Sequence, residues 1–351
     1  MCEIANINDE WENFMSCEND VDIDEVNYSG DFISANISDE LCPKASPIYI
    51  STKTNISYLN QPIDLKTVFW KIPIIPYSQP TNGVIKKQMK MNSTTPEELE
   101  EINENLKNEN YIEQTVITSL NNPTGRIKFK DIRKVSIGIS KKDLVNYRSK
   151  KKSAFYNCFV MIFRIKLGEV FKEFHVKIFN TGKLEIPGIQ NDIAFQQILD
   201  MVITTMQPYI SSELKYQENT TETVLINSNF NCGFYINREV LFELLKYKYN
   251  IHCIYDPCSY PGIQCKFYYD SSKGIQTGLQ EKGKGIPVSF MIFRTGSVLI
   301  VGKCDEGVLN VIYEFLKELL TKEFSAIMLK ISEVVVKEKK KKIRRKQIIV
   351  S

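Results

Sequence analysis

One ten-residue pattern occurs twice in this chain, and that repeat limits what it can fold into more than any other feature. Phe179-Asn180-Thr181-Gly182-Lys183-Leu184-Glu185-Ile186-Pro187-Gly188 aligns with Phe293-Arg294-Thr295-Gly296-Ser297-Val298-Leu299-Ile300-Val301-Gly302. The shared residues read Phe-x-Thr-Gly-x-x-x-Ile-x-Gly. An apolar strand precedes each copy, at residues 174–179 and 288–293, and an amphipathic helix follows each. The first helix starts at an Asp192 cap and carries the stripe Phe195, Ile198, Leu199, Val202 and Met206. The second starts at Asp305 and carries Val308, Ile312, Phe315 and Leu319. Upstream the match continues. Ile63-Asp64-Leu65 leads into Val68, Phe69 and Ile72, and Ile236-Asn237-Arg238 leads into Val240, Leu241, Leu244 and Leu245. Asp64 and Asn237 are good N-caps. With further strands at 158–165 and 263–269, each half reads strand, helix, several strands, helix, with Thr-Gly turns suited to hairpins. That order predicts an α+β fold made of two repeats.

Two of these strands are apolar at consecutive positions: Phe159-Val160-Met161-Ile162-Phe163 and Phe290-Met291-Ile292-Phe293. An antiparallel strand with one wet face should alternate. Two helices per half can cover only one face of a sheet. The second face is then either an exposed apolar binding surface or the inside of a two-layer sandwich, and periodicity leaves both open.

Charge divides the chain. Residues 1–45 hold twelve acids against Lys44 alone, a net charge of −11. With a total of +3, the remaining residues carry +14. An acidic arm on a basic body points to a polyanion partner. The arm lacks periodicity and reads as disordered. The positive charge concentrates in residues 128–152 (Lys128, Lys130, Arg133, Lys134, Lys141, Lys142, Arg148, Lys150, Lys151, Lys152) and in a tail at 331–351 rich in Lys and Arg between 337 and 346. Either run is a solvated surface or a phosphate-binding one, and the tail also reads as a nuclear-targeting arm. Thr94-Thr95-Pro96-Glu97-Glu98 predicts a helix running to about residue 108 inside a polar stretch. The organisation expected is an arm at 1–45, a first repeat at 46–210 interrupted by an insertion at about 78–153, a second repeat at 211–330, and the tail.

Other classes find little support. Nine cysteines are scattered without a Cys-x-x-Cys pair, and His175 and His252 are the only histidines, so no metal or cofactor is expected. The thiols read as reduced, as in a cytosolic or nuclear compartment. No signal peptide opens the sequence, no apolar run approaches the length of a membrane span, and no nucleophile set or Gly-rich phosphate loop appears, so the chain is not expected to be an enzyme.

The repeat resembles the core of the TATA-binding protein family, whose halves each carry Ile-Phe-x-Ser-Gly-Lys-x-Val-x-Thr-Gly before a long helix. Tyr255-Asp256-Pro257-Cys258-Ser259-Tyr260-Pro261-Gly262-Ile263 is similar to the family's Tyr-Glu-Pro-Glu-Leu-Phe-Pro-Gly-Leu. The resemblance covers roughly residues 46–77 and 154–330 and looks most like the divergent TATA-binding-protein-like proteins of large DNA viruses. It implies a two-fold pseudo-symmetric saddle: one curved antiparallel sheet with helices on its convex face and DNA on the other. The family wedges aromatic rings into the minor groove and bends AT-rich duplex, reading deformability more than base edges.

By matched position, Phe179 and Phe293 are the wedges of the Thr-Gly hairpins, although core is the commoner fate of a strand Phe. Tyr260 stands where the second half has its other wedge. Its first-half partner falls on Cys158, with Phe155 and Phe159 nearby. Strand alternation puts Met291 and Leu299 on the face of Phe293. Arg164 and Lys266 match basic positions of the family, and Lys183 matches its hairpin Lys. The family's groove-facing Thr falls on Pro187 and Val301, its minor-groove Asn residues fall near Asn55 and Asn227 or Asn229, and Glu185 faces the phosphates unfavourably. The helix after Asp192 lacks the family's basic residues. Recruitment of a factor-B-like initiation protein and of RNA polymerase subunits is implied through the loop of Asp256 and Pro257. The resemblance also implies action in the host cytoplasm, at a viral factory, or in the nucleus, or packaging in the virion. The alternative is a scaffold subunit of the transcription machinery or virion that has lost DNA bending.

Overall fold

A computed structural model describes residues 41–145 and 157–329, apart from Lys282 and Lys284. The acidic arm up to residue 40, the residues Arg148 to Lys152 of the basic run, and the basic tail lie outside the described residues. The chain divides into two units. The first holds residues 55–222 and the second holds 41–54 with 223–329.

Each unit is an antiparallel sheet whose core helices pack on one face. In the first, β1 (Tyr49–Tyr58) leads to α1 (Leu65–Lys71), then β2 (Gly83–Ser93), α2 (Pro96–Leu106), β3 (Ile112–Asn121), β4 (Phe129–Gly138) and α3 (Lys141–Val145). It closes with β5 (Cys158–Leu167), β6 (Val170–Phe179), β7 (Lys183–Ile189) and α4 (Asp192–Met206). The hydrogen-bonded order runs β3-β4-β2-β5-β6-β7. The second unit runs β8 (Glu222–Asn231), α5 (Arg238–Glu243), β9 (His252–Ile254), β10 (Ile263–Tyr269), β11 (Ile286–Ile292), β12 (Ser297–Gly302) and α6 (Glu306–Lys322), with the order β8-β12-β11-β10-β9. Residues 49–54 of β1 belong to the second unit and 55–58 to the first. The α+β repeat is present, with the core helices on one face of each sheet and the five-residue α3 of the insertion on the other face of the first.

The repeat holds down to single hydrogen bonds. Gly182 and Gly296 sit at φ +86° and +80°, where an L side chain is strained. Each donates its N–H back to the repeat Phe, at 2.9 Å to Phe179 O and 3.0 Å to Phe293 O. A Cβ on Gly182 would lie 2.5 Å from Gln61 O, and one on Gly296 2.3 Å from Phe234 O, so only glycine admits the chain that passes beneath. That chain bonds equivalently in both units: Leu59 N and Cys232 N donate to the glycine carbonyls at 2.8 and 2.9 Å, and Ile63 N and Ile236 N donate to Asn180 O and Arg294 O at 2.9 Å. Asp64 and Asn237 then cap α1 and α5 by accepting from Thr67 N and Val240 N. Asp305 caps α6 as expected. For α4 the cap is one residue earlier, at Asn191, which accepts from Ala194 N at 2.8 Å and leaves Asp192 in the first turn.

The expected stripes are the core. Phe195, Ile198, Leu199, Val202 and Met206 of α4 and Val68 and Phe69 of α1 pack on Phe159, Met161, Phe163, Val176, Ile178, Leu184 and Ile186. Val308, Ile312 and Leu319 of α6, with Leu241, pack on Ile226, Phe267, Val288, Phe290, Ile292, Val298 and Ile300. Consecutive apolar residues therefore divide between two faces, with every second one under the helices.

The interruption of the first repeat is itself folded. α2 starts where expected, with Thr95 Oγ accepting from Glu98 N and Glu98 reaching back to Thr94 N at 2.6 Å. The stretch from Gly83 to Ser93 is a strand, and β2 pairs with β5 as β9 pairs with β10. The matter truly absent from the second unit is α2, β3, β4 and α3. Lys87 of β2 lies inside the helix-side core, 1% exposed, with its Nζ donating to Ile72 O at 2.9 Å and to Glu109 at 3.0 Å. Burial pulls its pKa down, partly offset by Glu109. Through these two bonds Lys87 ties Glu109, beyond α2, to the carbonyl of Ile72 at the end of α1.

Candidate nucleic-acid interface

The face of each sheet opposite the core helices is the candidate site. In the second unit the register assigns it. Gln264 pairs with Met291 and Ile254, Lys266 with Ser289 and His252, and Tyr268 with Pro287. Met291 in turn pairs with Leu299, Ser289 with Val301, and β8 contributes Asn227, Asn229 and Asn231 opposite Val301, Leu299 and Ser297. Directly paired residues share a face, so these side chains form one surface. Met291 and Val301 are 5% and 6% exposed, and Leu299 is half-buried. Asn227 Nδ2 donates to Thr52 Oγ1 at 3.0 Å, while its Oδ1 is a buried acceptor with no hydrogen-bond partner among the described residues. Such an atom costs on the order of 1–3 kcal/mol until a donor meets it.

Phe293 and Tyr260 meet at one end of this face, edge to face, with ring centroids 5.8 Å apart. β10–β11 pairing brings them together, because Ile263 and Ile292 are register partners. Gly262 lies between them, and a Cβ there would come within 3.1 Å of both rings. Burial pushes the Tyr260 hydroxyl up to about 12, so it is a neutral phenol at physiological pH. Arg238, unremarked in sequence beyond its place after a cap, anchors the loop. Its Nη1 donates to Pro261 O and its guanidinium stacks on Tyr255, 5.4 Å from the centroid. The only sequence signal for it was its position at the start of α5. Asp256 and Pro257 are exposed on that loop, and Asp256 Oδ1 caps the turn by accepting from Cys258 N at 3.0 Å. Hydrogen bonds from Ser259 and Cys258 hold the Asp256 carboxyl below its ordinary value.

The corresponding face of the first unit is charged. Cys158, Val160, Ile162 and Arg164 pair across to Phe179, Lys177, His175 and Glu173. Lys177 and Glu185 form an ion pair at 2.6 Å. Lys183 lies over the Phe179 ring at 5.3 Å. α3 is bonded onto this face: Asp143 accepts from Lys86 Nζ at 2.8 Å through both oxygens, and Glu173 accepts from Lys141 N at 3.0 Å. Burial, then the charges of Lys142, Lys177 and Lys86, drive the His175 imidazole down to about 4.

Two expected contacts are corrected by this geometry. Phe159 points to the other face: it is fully buried under α1, with its ring 6.1 Å from Phe69. Cys158 occupies the helix-free position next to it, and Phe155 lies outside the described residues. Arg164 is on the helix-free side but 7% exposed, and its guanidinium donates to the carbonyls of Thr81 at 3.2 Å, Tyr77 at 2.7 Å and Gln79. It holds the 77–81 loop and is not presented to a partner. Phe179 and Lys183 stand together at the first hairpin. Phe293, Tyr260, Met291, Leu299 and Val301 share the second face with Lys266, which at 7% exposed is as buried as Arg164.

Among the described residues, no group of three or more His, Cys, Asp and Glu could hold a metal ion, and no helix is long and apolar enough to cross a membrane. No protein-family profile and no curated protein matches the chain. Among solved structures it is similar to one titled Methanococcus jannaschii TBP, at 15% identity and a TM-score of 0.39, over 80% of this chain and 99% of that one.

Proposed function

We propose that the protein is a transcription initiation factor of the TATA-binding type, which binds and bends AT-rich promoter DNA through the minor groove. The observation that carries this reading is the aromatic pair Tyr260–Phe293 at the end of a helix-free face lined with asparagines and with Met291, Leu299 and Val301. Edge-to-face rings braced by a loop resist displacement and can wedge into a base step, for which unstacking costs a few kcal/mol. Met291, Leu299 and Val301 suit the sugar edges and flat base surfaces of a widened groove. Asn229 supplies an amide donor to a groove that offers mostly acceptors. Phe179, stacked under Lys183, is the counterpart wedge in the first unit.

On this reading a factor-B-like protein and RNA polymerase subunits dock on the exposed loop of Asp256 and Pro257. Action in the host cytoplasm or nucleus, of a virus-encoded factor, belongs to the same proposal. The scaffold reading draws support from the Lys177–Glu185 pair, which sets a carboxylate on the face where phosphates would approach. Gel shifts on AT-rich duplex at modest salt separate the two. The DNA reading expects a shifted band weakened by Phe293→Ala and Phe179→Ala. No band, or one indifferent to both changes, sinks it. Capture of polymerase subunits without DNA affinity supports the scaffold.

A further inference from the structure

The outer edge of β3 is a surface that the DNA reading does not use. β3 closes one side of the first unit's sheet, and among the described residues no strand pairs with its outer edge. It is ten residues long, and nine of them are exposed. Val116 and Ile117 are 54% and 42% exposed, and Ile112 and Leu120 are exposed as well. Proteins blunt such edges with lysine, proline or brevity. The second unit does so, since its edge strand β9 has three residues. β3 has no Lys and no Pro, and its one charge is Glu113.

We propose that β3 pairs antiparallel with β3 of a second copy, joining two chains edge to edge about a two-fold axis. The strand is self-complementary around its midpoint. Outward from Val116-Ile117 lie Thr115 and Thr118, then Gln114 and Ser119. A bulge falls at the same place: Val116 faces Arg133, Thr118 faces Ile132, and Ile117 is the extra residue. The bulge fixes which side chains share a face. Glu113, Thr115, Thr118 and Leu120 lie with Ser136, Lys134, Ile132 and Lys130, while Ile112, Gln114, Val116, Ser119 and Asn121 lie on the other side.

Centring the two-fold on the bulge therefore sets Thr115 opposite Thr118 of the second copy, Gln114 opposite Ser119, and Glu113 opposite Leu120, each pair on one face. Shifting by one residue sends every pair to opposite faces. In the centred register Glu113 points across Leu120 towards Lys130 of the second copy, which neighbours that Leu120 on β4. Opposite charges thus meet at both ends of the seam, and the isologous contact closes on itself. A bulge normally turns an edge away from partners. Here it excludes strands that lack a matching bulge and leaves a second copy as the fitting occupant.

Sedimentation velocity on the full chain without DNA tests this over a wide concentration range. A dimer that dissociates on dilution is expected, as is a monomer for Val116→Lys at concentrations where the unaltered chain is dimeric, with an unchanged circular dichroism spectrum. A mixture of Thr115→Cys and Thr118→Cys chains should cross-link on oxidation more than either variant alone, a readout independent of how Val116→Lys folds. A chain monomeric throughout, a dimer indifferent to Val116→Lys, or cross-linking no greater in the mixture than in the single variants overturns the proposal.

Discussion

The two units share a frame and differ on the face opposite the core helices. Their hairpin glycines, their caps and the hydrogen bonds beneath the Thr-Gly turns correspond atom for atom. Yet the second unit shows asparagines, a few apolar side chains and a braced aromatic pair, whereas the first shows ion pairs, a half-buried histidine and the short helix α3. The packing that makes the fold constrains one face only. The other was free to diverge, so function must be read there, unit by unit.

Breaking the aromatic pair should separate the units most sharply. Phe293 supports Tyr260, so Phe293→Ala loosens two rings, whereas Phe179→Ala removes one. Fluorescence anisotropy on an AT-rich duplex should show affinity falling about 100-fold for the first and about tenfold for the second. Equal losses would erase the functional asymmetry.

Changes to the shared frame should not distinguish the units. Gly182→Ala and Gly296→Ala each force a side chain into positive φ against a carbonyl oxygen. Each should cost about 2–3 kcal/mol in urea unfolding. A tolerated alanine in one unit would show that the frames are not equivalent.

His175 should give the first unit a pH dependence of its own. Its folded pKa, about 4, lies below the ordinary 6.5, so in that window the unfolded chain binds a proton that the folded chain refuses. Stability is therefore present above pH 6.5 and falls as pH drops towards 4, by about 2 kcal/mol. Urea unfolding between those values should show the slope, and His175→Gln should flatten it. The smallest effect expected is at Glu185. Glu185→Gln removes a carboxylate from the DNA side and should tighten duplex binding about threefold, with a steeper salt dependence; unchanged affinity would place the first unit's face off the DNA.

The fold was legible where its signals are local. Periodic apolar stripes, Asp64, Thr95, Asn237 and Asp305 as caps, and glycines at two hairpins each act within a few residues. β2 was not legible, because Lys86 and Lys87 interrupt its pattern, and Lys87 is a lysine in a core position that only Ile72 O and Glu109 make tolerable. The candidate site was legible as to face but not as to neighbours. Alternation assigned Met291 and Leu299 correctly, and pairing of β10 with β11 joined Tyr260 to Phe293. Phe159 was misassigned because a strand apolar on both sides carries no parity signal; the partner that fixes its side is Phe69, far away in sequence. Arg164 looked free because nothing in its own strand shows that three loop carbonyls converge on it.

The central claim is that the bare face of the second unit grips and deforms duplex DNA. Energy transfer between dyes at the two ends of an AT-rich duplex reads this directly. The account expects the ends to draw together on adding the protein, and expects the change to vanish for the chain carrying both Tyr260→Ala and Phe293→Ala. Binding without any change in end-to-end distance, or a bend that survives loss of both rings, would contradict it.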